Sequence, residues 1–108
     1  MKKLILLAVV AGLVGCGQPQ WLLHGDSHGL DREEWNQASE QKKLGTAGYW
    51  LLSLQRKDFL KNDDVTGDLN FEKNATDLKG CLNTTMPYSA KATNHLVADC
   101  VNVLGLSK

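Results

Sequence analysis

Residues 39–56, SEQKKLGTAGYWLLSLQR, decide the fold class. Leu44, Ala47, Leu51 and Leu54 recur at i, i+3, i+7 and i+10, which is one face of an α-helix. Lys42, Lys43, Gln55 and Arg56 fall off that face, so the helix is amphipathic. Ser39 is a good N-cap residue. Asp31, with Glu34 following three residues later, also matches a capping box with Asp in the Ser/Thr role. The helix is therefore predicted to start at Ser39, or already at Asp31, and to end near Arg56. Gly45 and Gly48 each lower its propensity by about 1 kcal/mol relative to Ala. The compensating use of small residues there is a close approach by another helix.

Downstream, residues 57–70 (KDFLKNDDVTGDLN) are polar and rich in turn formers, which predicts a loop. Phe59 and Leu60 are expected to fold back onto the core. Phe71, Ala75, Leu78 and Leu82 then repeat at i, i+4, i+7 and i+11, predicting a second helix from Asn70 to Leu82. Residues 83–89, with Pro87, read as a connector. Leu96, Val97, Cys100, Val101 and Leu104 mark a third helix from Lys91 to Leu104, and Gly105 sits where a C-terminal cap glycine belongs. No alternating strand pattern and no internal repeat interrupts this series. The predicted fold is all-α, a small three-helix domain over residues 31–108.

Upstream, residues 17–30 (GQPQWLLHGDSHGL) show no sustained period and read as a flexible tether, with Trp21-Leu22-Leu23 as an apolar spot able to dock on the domain or at a membrane interface. Met1-Lys2-Lys3 is a short basic start, and Leu4 to Val14 is an apolar run of eleven residues. A stable bilayer-crossing helix takes about 20 such residues, so the layout is that of an export signal. The run closes on Leu13-Val14-Gly15-Cys16. This closely resembles the bacterial lipoprotein signal, whose lipobox reads Leu, a small or branched residue, Gly or Ala, then Cys. The resemblance implies diacylglyceryl transfer to the Cys16 thiol, removal of residues 1–15 as a signal peptide, and acylation of the new N-terminus. Palmitate-type chains on Cys16 would tether the protein irreversibly, since one chain alone binds only reversibly. In that family Asp after the lipidated Cys retains a protein in the inner membrane. Gly17 stands there, implying the outer membrane, periplasmic face.

Removing fifteen of the 108 residues leaves 93, one small domain of modest stability. Lys2 and Lys3 leave with the signal, so ten Lys and Arg face twelve Asp and Glu, a net charge of −2. That charge, spread without blocks, gives no electrostatic footprint for nucleic acid. With Cys16 lipidated, Cys81 and Cys100 remain as an even pair in an oxidising compartment. A Cys81–Cys100 disulfide stapling the second and third helices is the expected state.

Candidate sites are few. His24, Asp26 and His28 could together ligate Zn²⁺ or Cu²⁺, against the competing reading of a solvated turn. Gly25-Asp26-Ser27 looks like the nucleophile block of GDSL-type esterases, but the chain has no late Asp-x-x-His and no strand before the block. Residues 62–69 overlap a calcium-loop pattern, yet Lys73 stands where a bidentate Glu is required. His95 borders the third apolar stripe without a Ser or Cys partner. Trp35, Tyr49 and Trp50 are the partner-binding candidates; packing in the core is their competing and favoured use. No cofactor and no catalytic residue is expected. The functional expectation is a lipid-anchored, non-enzymatic module that binds another envelope or periplasmic protein, of the immunity, inhibitor or envelope-accessory type. The alternative is a periplasmic metal-binding protein using His24, Asp26 and His28.

Overall fold

A computed structural model describes residues 18–108. Its elements are α1 (Gln20–Leu23), α2 (Arg32–Gln37), α3 (Glu40–Arg56), a 3₁₀ turn (Asp63–Thr66), α4 (Phe71–Thr85), a second 3₁₀ turn (Met86–Tyr88) and α5 (Thr93–Val103). The protein is all-α, and the three predicted helices correspond to α3, α4 and α5. The signal segment and Cys16 lie outside the described residues.

Both candidate starts of the first helix are used, which splits it in two. Asp31 caps α2 through a complete capping box: its side chain accepts from the Glu34 backbone N–H at 2.8 Å, and the Glu34 carboxylate accepts from the Asp31 N–H at 2.9 Å. Ala38 and Ser39 are extended, and the Ser39 hydroxyl then accepts from Lys42 N–H at 3.1 Å to open α3. A capping side chain satisfies amide groups that a new helix start would otherwise leave orphaned.

The flexible tether predicted for residues 17–30 is corrected from Gln20 onward, where Trp21 and Leu22 of its apolar spot are docked on the domain. From Gln20 onward the chain is packed: Leu22 is fully buried and Leu30 nearly so. The reason is Gly45 and Gly48, which leave a shallow face on α3 for α1 and the turn after it. A Cβ added to Gly45 would run into the Gly25 backbone and come within 2.8 Å of the Leu22 carbonyl oxygen. One added to Gly48 would meet Leu22 Cδ1 and Trp21 Cζ3 at 2.7 Å. Between the two glycines, buried Thr46 accepts the Asp26 N–H on its hydroxyl at 2.9 Å. The seam joins two backbones with almost nothing between them.

α3 and α4 form the largest helix–helix interface, and α5 packs on α4. Phe71, Ala75, Leu78 and Leu82 of α4 are all buried, as are Leu96, Val97, Cys100 and Val101 of α5. The Cys81–Cys100 disulfide joins these two helices, with Cα atoms 5.9 Å apart across a separation of 19 residues. A loop of that size is stabilised by about 3 kcal/mol in the chain-entropy account. Met86, expected only as connector, is fully buried beneath the second 3₁₀ turn. The Arg32 guanidinium donates to the carbonyls of Met86 and Lys91, tying α2 to the α4–α5 connector.

The C-terminal tail returns to the end of α3. Lys61 N–H donates to Leu106 O at 2.8 Å and Lys108 N–H to Phe59 O at 3.0 Å, around an antiparallel bridge between Leu60 and Ser107. Leu60 is buried as expected, whereas Phe59 is exposed. α3 and α5 end in the same double-bonded left-handed cap. After α5, Gly105 has φ +76°, Gly105 N–H reaches Asn102 O, and Leu106 N–H reaches Val101 O, each at 3.0 Å. After α3, Asp58 has φ +61° and takes the glycine's place, with Asp58 N–H on Gln55 O and Phe59 N–H on Leu54 O, each at 3.0 Å.

Candidate functional site

The aromatic residues singled out in the sequence divide between core and surface. Trp35 is a core residue: it is 1% exposed, stacks on Trp50 with ring centroids 5.7 Å apart, and donates its indole N–H to Asn83 Oδ1 at 3.1 Å. It therefore cannot meet a partner. Trp50 and Tyr49 are half-buried on α3. Trp50 in turn shields Gly29, whose position a Cβ would share with the Trp50 indole nitrogen at 2.9 Å. Lys43 Nζ lies 5.6 Å from the Trp35 ring centroid, a cation–π distance.

Asp26 and His28 meet through the backbone and not through a metal-binding pair of side chains. Asp26 Oδ1 accepts the His28 backbone N–H at 2.8 Å, closing an Asx turn. His24 and His28 are exposed, and among the described residues no group of three His, Cys, Asp or Glu is placed to hold a metal ion. Ser27 and His95 are exposed as well, on separate elements. The calcium-like stretch is occupied by structural hydrogen bonds. Asn62 Oδ1 caps the 3₁₀ turn from Asp64 N–H at 3.0 Å, Gln55 Nε2 donates to Asp63 Oδ1 at 2.6 Å, and Lys73 Nζ pairs with Asp77 at 2.7 Å.

Between α3 and α4 the Glu40 carboxylate bridges Lys79 at 3.1 Å and Lys43 at 3.4 Å. The hydrogen bond from Lys79 holds the Glu40 carboxyl below its ordinary value, slight desolvation opposes it, and the Lys43 charge reinforces it. Glu40 is exposed, so this pair positions helices more than it stabilises them.

An open cleft of about 290 Å³ lies beside the disulfide, between the end of α4, the second 3₁₀ turn and α5. Leu96 and Cys100 line it together with Thr84, Thr85, Ser89 and the Lys91–Asp99 ion pair. Tyr88 stands at its edge, 86% exposed. The local sequence explains the placement. Met86 is pulled into the core, Pro87 sets the turn, and Tyr88 follows on the outer side. Thr84 and Thr85 both donate their hydroxyls to Cys81 O at 2.9 Å, which fixes the cleft wall against the staple. An exposed aromatic beside a lining of apolar side chains and hydroxyls is suited to binding by contact. Sequence reading missed this site because Tyr88 belongs to neither apolar stripe; the signal was an aromatic directly after Pro87 in a connector.

No protein-family model matches the chain, and no solved structure matches it. A guanylate cyclase from Toxoplasma gondii (strain ATCC 50853 / GT1) is 35% identical over 72 residues, 67% of this chain. The match spans 1% of that protein's length, so it places this chain in no family and carries no activity to it.

Proposed function

We propose that this chain is a lipid-anchored protein of the cell envelope, held by acyl chains on Cys16, whose disulfide-braced helical domain binds another protein and catalyses no reaction. The Leu13-Val14-Gly15-Cys16 stretch supports the anchor, and Gly17 supports the periplasmic face of an outer membrane. The observation that carries the binding role is Tyr88, an 86% exposed aromatic at the edge of a cleft in the stapled α4–α5 hairpin. Tyrosine is enriched among residues that dominate protein–protein binding energy, because it brings a large contact area at low entropic cost. A hairpin closed by a disulfide is rigid before binding, which lowers the ordering cost further. The partner is a soluble or membrane protein of the same compartment, as for immunity proteins, inhibitors or envelope accessories.

Two measurements test this reading. Intact mass of the membrane-extracted protein is expected to show a chain beginning at Cys16 and carrying acyl groups; an unacylated chain with its leader attached refutes the anchor. A photo-crosslinker at Tyr88 is expected to trap one protein in cells, with Tyr88→Ala lowering co-purification of that same protein. Equal co-purification with Tyr88→Ala refutes the cleft as the binding site.

A further inference from the structure

The folded domain begins almost at the anchor. Pro19 caps α1, which starts at Gln20, and from there the chain is locked onto α3 by buried Leu22 and the Gly25–Gly45 contact. Trp21 adds an edge-on contact to Phe71, ring centroids 4.8 Å apart. Only residues 17–19 separate Cys16 from Gln20. Four Cα-to-Cα steps at no more than about 3.6 Å each span at most about 14 Å. The headgroup layer on one side of a bilayer is itself about 5–8 Å thick. A Cys16 whose acyl chains sit in the hydrocarbon therefore leaves the start of α1 a few ångströms of freedom above the headgroups.

We infer that the α1 edge of the domain that presents Leu23 rests against the phospholipid surface. This inference depends on the Cys16 anchor proposed above. Leu23 is 55% exposed at the end of α1 while its neighbours Trp21 and Leu22 pack inward, so it is the apolar side chain this edge offers to hydrocarbon. The occupant is the bilayer because the chain length outside α1 allows nothing else to come between. Charge plays little part: the chain from Cys16 onward has two more acidic than basic residues, so the contact is indifferent to anionic lipid. A short tether acts instead by holding the α1 edge at high effective concentration on the surface.

The test uses the full lipidated protein in phosphatidylcholine vesicles, with a photo-crosslinking amino acid replacing exposed Leu23. Intact mass first reports the acyl groups on Cys16. Phospholipid adducts at position 23 are expected, and inserting twenty Gly/Ser residues between Gly17 and Gln18 is expected to lower them several-fold. Replacing a third of the lipid by phosphatidylglycerol is expected to leave the yield unchanged. An acylated protein that forms no adduct at position 23, or whose adducts survive the insertion undiminished, overturns the seating while leaving the anchor standing. A protein without acyl groups overturns both.

Discussion

The seam between residues 20–30 and α3 works by leaving side chains out, whereas the α4–α5 hairpin is closed by a bond between two of them. At the seam, Gly25 and Gly45 bring backbone against backbone, and specificity comes from the absence of space. In the hairpin, Cys81 and Cys100 fix two helices already joined by their apolar stripes. The seam acts on the native state alone, since nothing holds its strands of chain together once they part. The disulfide acts largely on the unfolded chain, by removing conformations open to it. A small domain with a limited core thus closes its N-terminal half by steric fit and its C-terminal half by covalency.

The comparison breaks hardest at Gly45. A side chain there must displace the Gly25 backbone and the Leu22 carbonyl, which cannot rotate away. Overpacking ordinarily costs about 1–3 kcal/mol and more where backbone must move; Gly45→Val is expected to cost about 4 kcal/mol. The urea midpoint of the purified protein reports it, and a midpoint within error of wild type would show that the seam does not exist in solution. Next comes the staple. Cys81→Ser with Cys100→Ser is expected to cost about 3 kcal/mol, read as an equal loss of midpoint upon reduction of the wild-type protein. A double variant that reduction still destabilises would place the effect elsewhere.

The two joints also differ in how far residue order announces them. The hairpin was legible: an even cysteine pair, each on or beside an apolar stripe, leaves one pairing, and the α4 stripe Phe71, Ala75, Leu78, Leu82 is buried as its spacing demands. The seam was half legible. Gly45 and Gly48 were readable as an invitation to close approach, but their partner, Gly25, lies in a segment with no period, where a packed turn and a solvated one look alike. The same holds for Tyr88 and Met86, adjacent to one proline yet pointing opposite ways; only the packing of the connector decides which is core. Trp35 and Trp50 could not be sorted by composition either, because the group that satisfies the buried Trp35 indole N–H is Asn83, 48 residues away.

A third glycine sharpens the contrast, because steric need and not residue type is what separates the joints. Gly80 lies on the exposed side of α4, and a Cβ there would meet nothing within 4 Å. Its only effect is to loosen the helix, so Gly80→Ala is expected to stabilise by about 0.5–1 kcal/mol. A rise in the urea midpoint checks this, against the large fall for Gly45→Val in a helix of similar length. A loss at position 80 would mean that α4 has a neighbour there.

The smallest effect is expected at Asp58, which touches neither joint. Asp58 and Gly105 hold the same left-handed cap at the ends of α3 and α5, but only Gly105 does so without a Cβ. A left-handed conformation costs an ordinary L-residue about 1–2 kcal/mol, and aspartate somewhat less. Glycine relieves that strain but adds freedom to the unfolded chain, so Asp58→Gly is expected to gain about 0.5 kcal/mol net. The variant also loses the 2.6 Å pair with Lys108, whose two side chains are 81% and 56% exposed. Exposed pairs contribute about 0–1 kcal/mol, so the sign of the result is informative. A higher urea midpoint, matched by no change in Lys108→Gln, assigns the effect to backbone strain. A lower midpoint for both variants would instead make the tail-to-α3 ion pair a working tie, a third joint between the end of the chain and the bundle.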